Sequence, residues 1–360
     1  MQIIKSEDVV IEDVLPYFEN EVVVIPTETV YGLAANIYNE EALKNIFTLK
    51  GRPNDNPLIV HISSLKMLQS LIEGEIPVEY RKLIEKFWPG PMSLLFKAKS
   101  TISRIVTGGL DTVVVRMPNN KLILDILEKL GKPLAAPSAN LSGSPSPSSV
   151  QHVVDDFGSR INLYIDGGDC EVGLESTVFS ILNDEPAILR PGGITKEQIT
   201  SCIKRELVSN YLVDENKILM KVKTSNQDKL RLDVCKDKDS IMSPGQKYKH
   251  YSPTNKFILF ISDRKDITEN IKSYLKGKED IKIGIMKHRN TFYNSNELKN
   301  LTIFDLGTTK KQICANVFKG LRFLDKQCDV IFTCSVDPRD EGSAIMDRLQ
   351  KAANDIYILE

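Results

Sequence analysis

Short β-rich runs alternate with amphipathic stretches over about the first two hundred residues, and this alternation restricts the fold more than any other feature of the chain. The runs are "EVVVI" (21–25), "PLIVHI" (57–62), "MSLLFKA" (92–98), "DTVVVRM" (111–117), "NLYI" (162–165), "STVFSIL" (176–182) and "AILR" (187–190). Between them, "NEEALKNIFTLK" (39–50) sets Ala42, Ile46 and Leu49 at helical spacing behind Asn39, a residue suited to capping the first turn. Strands interleaved with helices predict an α/β or mixed α+β domain built on a substantial sheet.

The pattern breaks after about residue 213. Residues 214–240 are dense in charge and read as a connector carrying an edge strand or two, and "MSPGQKYKHYSPT" (242–254) is rich in turn residues and aromatics. From residue 256 a βαβ rhythm resumes: "KFILFI", a helix near 265–276, "IKIGIM", "LTIFDL", a helix near 308–326, "CDVIFTC" and a last helix near 343–354. This predicts a first α/β domain over 1–208, a linker over 209–254 and a smaller, Rossmann-like doubly wound α/β domain over 255–360.

Length and charge are compatible with this plan. A chain of 360 residues can bury two cores. A net charge of −1 argues against bulk electrostatic capture of nucleic acid and leaves room for a local basic site. The opening residues mix charges with apolar groups unlike a signal peptide, and no apolar run approaches the roughly 20 residues of a membrane span. Six cysteines without a CxxC pair argue against structural zinc and suit reduced thiols. A cytoplasmic location is the expectation.

The chemistry gathers at the strand ends. Neither GxxxxGK[ST] nor a well-placed GxGxxG occurs, so a nucleotide here must be held by cations, hydroxyls and backbone amides. "PTETVYGLAA" (26–35) packs hydroxyls, a carboxylate and a tyrosine after the first strand, as a capped turn or as a site. In "KGRPNDNPLIVHI" (50–62), Lys50 and Arg52 suit either a helix C-terminus or an anion site, and His61 ends an apolar strand. Arg116 sits inside a β-branched run and needs a counter-charge, either an internal carboxylate or that of a ligand. By composition, "APSANLSGSPSPSS" (136–149) reads as a flexible surface loop. "GLESTVFSI" (173–181) and "LRPGGIT" (189–195) repeat the pattern of a polar cluster at a strand end.

Taken in order, "PTETVYGL", "KGRPNDNPLIVH", "FWPGPMSLLF", "VVVRMP", "APSANLSG", "DGGDCEVGLESTV" and "RPGGIT" resemble the motifs of YrdC-like domains. "SPGQKYKHYSP" and the βαβ unit ending "AIMDRLQKAA" resemble the linker and extra domain of two-domain threonylcarbamoyl-AMP synthases, so that the resemblance spans essentially the whole chain. It implies a mixed twisted sheet with a concave active-site cavity. The implied activity is that of a nucleotidyltransferase in tRNA processing, which joins L-threonine, bicarbonate or CO2, and ATP into L-threonylcarbamoyl-AMP with release of pyrophosphate. Mg2+ would accompany ATP on its phosphates, and a separate threonylcarbamoyl transferase complex would take the product to tRNA.

Carried over residue by residue, the resemblance implies that Thr29, His61, Arg116, Ser138 and Ser176 bind L-threonine. It implies that Arg52, Asn56, Thr112, Asn140, Ser148, Arg190 and Tyr251 contact ATP, with Lys50 and Arg52 as the catalytic cations at its phosphates. His250 and Tyr251 would form a linker lid over the site. The chain departs from the pattern at Gln246, where methionine is expected, and at Lys249, where arginine is expected. It departs also at Asn119–Asn120 in place of histidine and proline, and at Ser93 and Ser148 in place of threonine. The rival reading is an RNA-binding YrdC-like module without adenylate synthesis.

Overall fold

The computed structural model describes residues 1–182, 186–203, 250–262, 266–278 and 280–359. The predicted connector (214–240), Cys235 and the linker residues up to Lys249 lie outside the described residues. The described residues divide into two compact units: residues 1–142, 146–182 and 186–203 form the first, and residues 143–145, 250–262, 266–278 and 280–359 the second.

Among the described residues, the first unit carries a ten-stranded sheet. Its strands are β1 (Gln2–Lys5), β2 (Val23–Ile25), β3 (Gly32–Asn36), β4 (Ile59–His61), β5 (Met92–Lys97), β6 (Thr112–Arg116), β7 (Leu134–Ala135), β8 (Leu163–Asp166), β9 (Thr177–Ser180) and β10 (Ala187–Arg190), in the order β1-β8-β2-β3-β7-β4-β6-β5-β9-β10. Parallel and antiparallel pairs mix: β4 runs parallel to β6, and β5 antiparallel to it. Every run read as a strand from its β-branched and aromatic content is one. The missed strands, β1, β3 and β7, are short or built from small residues, and pairing with neighbours rather than propensity makes them strands.

Alternation assigns the two faces of the central strands. Val60, Leu94, Val115 and Phe179 point into the main core, where Leu68, Tyr80, Leu83 and Phe87 also lie. Ile59, Leu95, Val114 and Val178 form a smaller apolar cluster on the opposite face. His61, Ser93 and Arg116 share that second face, each two residues along its strand from a member of the cluster.

Helix Glu40–Lys50 shows how local sequence aims the chain at the site. Asn39 caps it by accepting from the Ala42 amide. At the other end Gly51 takes the left-handed conformation, with φ at 60°, that a glycine adopts without penalty. The Gly51 amide donates to Thr48 O and the Arg52 amide to Phe47 O, closing the helix in a Schellman motif. Asn120, at the family departure, caps the helix Lys121–Leu130 through the Ile123 amide. Its side chain thus supplies what the helix start requires.

Among the described residues, the second unit holds a five-stranded parallel sheet of β11 (Lys256–Ile261), β12 (Ile283–Lys287), β13 (Leu301–Asp305), β14 (Val330–Cys334) and β15 (Asp355–Ile358), ordered β13-β12-β14-β11-β15. Helix Lys310–Asp325 starts in a full capping box between Thr309 and Gln312. β15 lies just after the last helix and escaped the sequence reading. No helix among the described residues is long and apolar enough to cross a membrane.

Asn39→Ala should lower the unfolding free energy by about 1 kcal/mol in denaturant titration, the usual cost of losing a cap. Gly192→Ala should cost more: a Cβ there would meet Glu175 O at 2.3 Å and the Thr177 amide at 2.5 Å, both backbone atoms that cannot rotate away.

Candidate active site

Register brings the site together. His61 of β4 pairs with Arg116 of β6, and Arg116 pairs with Ser93 of β5. Ser93 Oγ lies 2.7 Å from Ser176 Oγ, just before β9. Arg190, at the end of β10, donates to Ser176 O through Nε at 3.2 Å and Nη2 at 2.8 Å, and to Ser176 Oγ at 3.2 Å. A polar row therefore crosses five adjacent strands at one end of the sheet, and each of its side chains is buried.

The loop between β2 and β3 closes over this row. Arg116 Nη1 donates to Thr29 Oγ1 at 2.8 Å and Nε donates to Gly90 O at 3.1 Å. Its Nη2 stands 2.6 Å from Glu28 Oε2, with side-chain exposures of 4% and 7%. Internal and ligand carboxylates were both open as partners for Arg116, and within the protein the partner is Glu28. Thr27 Oγ1 lies 2.8 Å from Thr29 Oγ1 and donates to Val30 O, which locks the turn.

His61 is held neutral. Burial first, and the positive charge of Arg116 second, push its imidazole down from 6.5 to about 3. Its Nδ1 has no hydrogen-bond partner among the described residues.

The 136–149 loop departs from the flexible surface loop its composition suggested. Ser146 and Ser148 are fully buried, and Asn140 nearly so. Lys50 is the reason on one side: its Nζ donates to Ser138 O and Asn140 O, each at 2.6 Å, and its own carbonyl accepts from the Ser142 amide. Ser138 also bridges to Gly32 of β3. Farther along, Ser146 Oγ donates to Glu175 Oε1 at 2.5 Å, while Ser148 Oγ has no partner among the described residues. A lysine read as an anion ligand thus also clamps the loop that presents Ser138 and Asn140.

Arg52, Asn56 and Thr112 come from the turn after the helix Glu40–Lys50, the approach to β4 and the start of β6. Arg52 Nη2 donates to Pro57 O at 3.1 Å, and Asn56 is buried just before β4. Thr112 opens β6 on the same face as Arg116 but four residues earlier, roughly 13 Å along the strand. His250 and Tyr251 belong to the second unit, where the Tyr251 ring lies 5.3 Å from that of Phe318 and 5.2 Å from the Arg348 guanidinium.

Two buried acids of the first unit were absent from the candidate residues read from the sequence, Glu28 and Glu175. Both sit inside quoted motifs, "TET" and "LEST", and a carboxylate surrounded by hydroxyls in an apolar setting was the available signal.

A mixed sheet whose adjacent strand ends carry a buried row of two arginines, a neutral histidine and hydroxyls defines the class: an α/β protein with a candidate small-molecule site at its strand ends. Comparison with known proteins narrows this. The family model described as "Telomere recombination" (Sua5_yciO_yrdC) matches residues 18–192, and that of "Threonylcarbamoyl-AMP synthase, C-terminal domain" matches residues 194–354. The threonylcarbamoyl-AMP synthase of Pyrococcus abyssi is 40% identical over 338 residues, covering 93% of this chain and 91% of the relative. That of Bacillus subtilis is 39% identical, covering 93% and 90%. The crystal structure of P. abyssi Sua5 complexed with L-threonine matches with a TM-score of 0.82 and 35% identity over the whole of both chains. The chain belongs to the threonylcarbamoyl-AMP synthase family.

The pKa of His61 carries a prediction. A group whose folded pKa is depressed lends stability above its unfolded value, here 6.5, and loses it as pH falls toward about 3, because the unfolded chain takes the proton first. NMR of the imidazole should show no titration between about pH 5 and 8, and His61→Gln should flatten the fall in stability below about pH 6.5.

Proposed function

We propose that this chain makes L-threonylcarbamoyl-AMP and pyrophosphate from L-threonine, bicarbonate or CO2, and ATP. Family membership supports the reaction, and the relatives' shared name favours it over an RNA-binding module. The observation that carries the substrate side is the row of His61, Arg116, Ser93, Ser176 and Arg190 across adjacent strands. It offers a planar cation for a carboxylate and a neutral imidazole with hydroxyls for a hydroxyl-bearing side chain.

In this reading Thr29, His61, Arg116, Ser138 and Ser176 hold L-threonine. The amine adds to CO2, and the new carbamate oxygen attacks the α-phosphorus of ATP while the bond to the bridging oxygen breaks and pyrophosphate leaves. Such a displacement depends on alignment and charge neutralisation. Lys50, Arg52, Asn56, Thr112, Asn140, Ser148 and Arg190 are the groups for ATP, and Mg2+ enters with the nucleotide on its phosphate oxygens. Lys50 serves twice, as a cation beside the phosphates and as the clamp on the Ser138 and Asn140 carbonyls. The adenylate passes to a threonylcarbamoyl transferase acting on tRNA, and the free thiols of Cys202, Cys314, Cys328 and Cys334 among the described residues suit a cytoplasmic setting.

Pyrophosphate release from ATP should require both L-threonine and bicarbonate, and release that ignores threonine would end this reading. Arg116→Lys should lower kcat/KM for threonine about 10- to 100-fold, the equivalent of about 1.5–3 kcal/mol for a lost charged hydrogen bond.

A further inference from the structure

Glu28 holds a buried charge that the protein itself satisfies poorly. Its carboxylate is 7% exposed, and Arg116 Nη2 approaches one oxygen at 2.6 Å. Yet neither Glu28 oxygen accepts a well-aligned hydrogen bond, and Arg116 Nη2 likewise lacks an aligned acceptor. The two charges are close without the geometry of a fork-to-carboxylate pair. Elsewhere on Arg116, Nη1 donates to Thr29 Oγ1 and Nε donates to Gly90 O.

Among the described residues no donor completes Glu28 with an aligned hydrogen bond. Lys50 spans the carbonyls of Ser138 and Asn140, Arg190 donates to Ser176, and His61 is neutral. A buried carboxylate left without donors costs stability comparable to its lost solvation. An ion pair in this condition fits a guest that carries both charges. An amino-acid zwitterion can offer its carboxylate to Arg116 and its ammonium to Glu28. The exchange leaves the net charge of the site unchanged and gives every charged group a partner.

We infer that Glu28 receives the ammonium of the amino-acid substrate, and so selects an amino acid over the corresponding hydroxy acid. This rests on the amino-acid site proposed above and adds to it the group that reads the amine. A site built around an N–H donor rejects the analogue lacking it, because its own carboxylate then stays unpaired.

The test compares the wild type, Glu28→Gln and Glu28→Asp as full-length proteins. Calorimetry measures binding of L-threonine and of (2S,3R)-2,3-dihydroxybutanoate, which carries a hydroxyl in place of the ammonium. Steady-state pyrophosphate release gives KM for threonine and for ATP. The wild type should bind the hydroxy acid roughly tenfold or more weakly than threonine, a difference of about 1.4 kcal/mol. Glu28→Gln should raise KM for threonine about tenfold or more, leave that for ATP within about twofold, and bind the two ligands alike. Glu28→Asp should retain part of the discrimination. Equal binding of the two ligands by the wild type would overturn the inference without any variant. So would a Glu28→Gln protein that loses both ligands in parallel, since Glu28 would then serve only to hold Arg116. A wild type that discriminates between the ligands but shows no threonine-dependent pyrophosphate release would sink the proposed reaction and leave the role of Glu28 standing.

Discussion

The guanidinium of Arg116 is the charge around which the first unit is arranged. It is 4% exposed at the end of β6, flanked in register by His61 on one side and Ser93 on the other. A buried cation is tolerable only with partners, and these come from two separate segments: Thr29 and Glu28 from the loop after β2, and Gly90 from the turn before β5. The same charge acts on His61, where it adds to burial in keeping the imidazole unprotonated. The row beyond Ser93, through Ser176 to Arg190, repeats the device with a second buried arginine seated on a backbone carbonyl.

Loop order follows from a second buried cation. Lys50 holds two carbonyls of the 136–149 loop, and Ser146 reaches Glu175 from its far end. A serine-rich stretch that composition marks as mobile is fixed at both ends by charged groups from elsewhere in the chain. The helix that delivers Lys50 ends where it does because Gly51 accepts a left-handed turn. Local chemistry at one glycine thus sets the position of a loop some ninety residues away.

Much of this was legible in the sequence, for identifiable reasons. β-branched runs such as "TVVVR" and "AILR" announce strands because burial and propensity agree there. The cap at Asn39 and the helix C-terminus at Lys50 were readable because they are local. β3, "GLAAN", carries no such signal, and its strand character comes from pairing with β2 and β7. The partner of Arg116 stayed open because a counter-charge can come from anywhere in the chain, and Glu28 lies 88 residues earlier.

The sequence by itself determined the residue types and their placement at strand ends, since alternation and turn chemistry operate over a few neighbouring positions. Only the tertiary structure decided which strand ends lie side by side. Positions 61, 93, 116, 176 and 190 converge because parallel and antiparallel pairing in one sheet sets their register, and Thr29 joins them through its bond from Arg116. Register is a long-range property fixed by which faces can be buried together. Single-residue chemistry prescribes the groups, and the sheet makes a site of them.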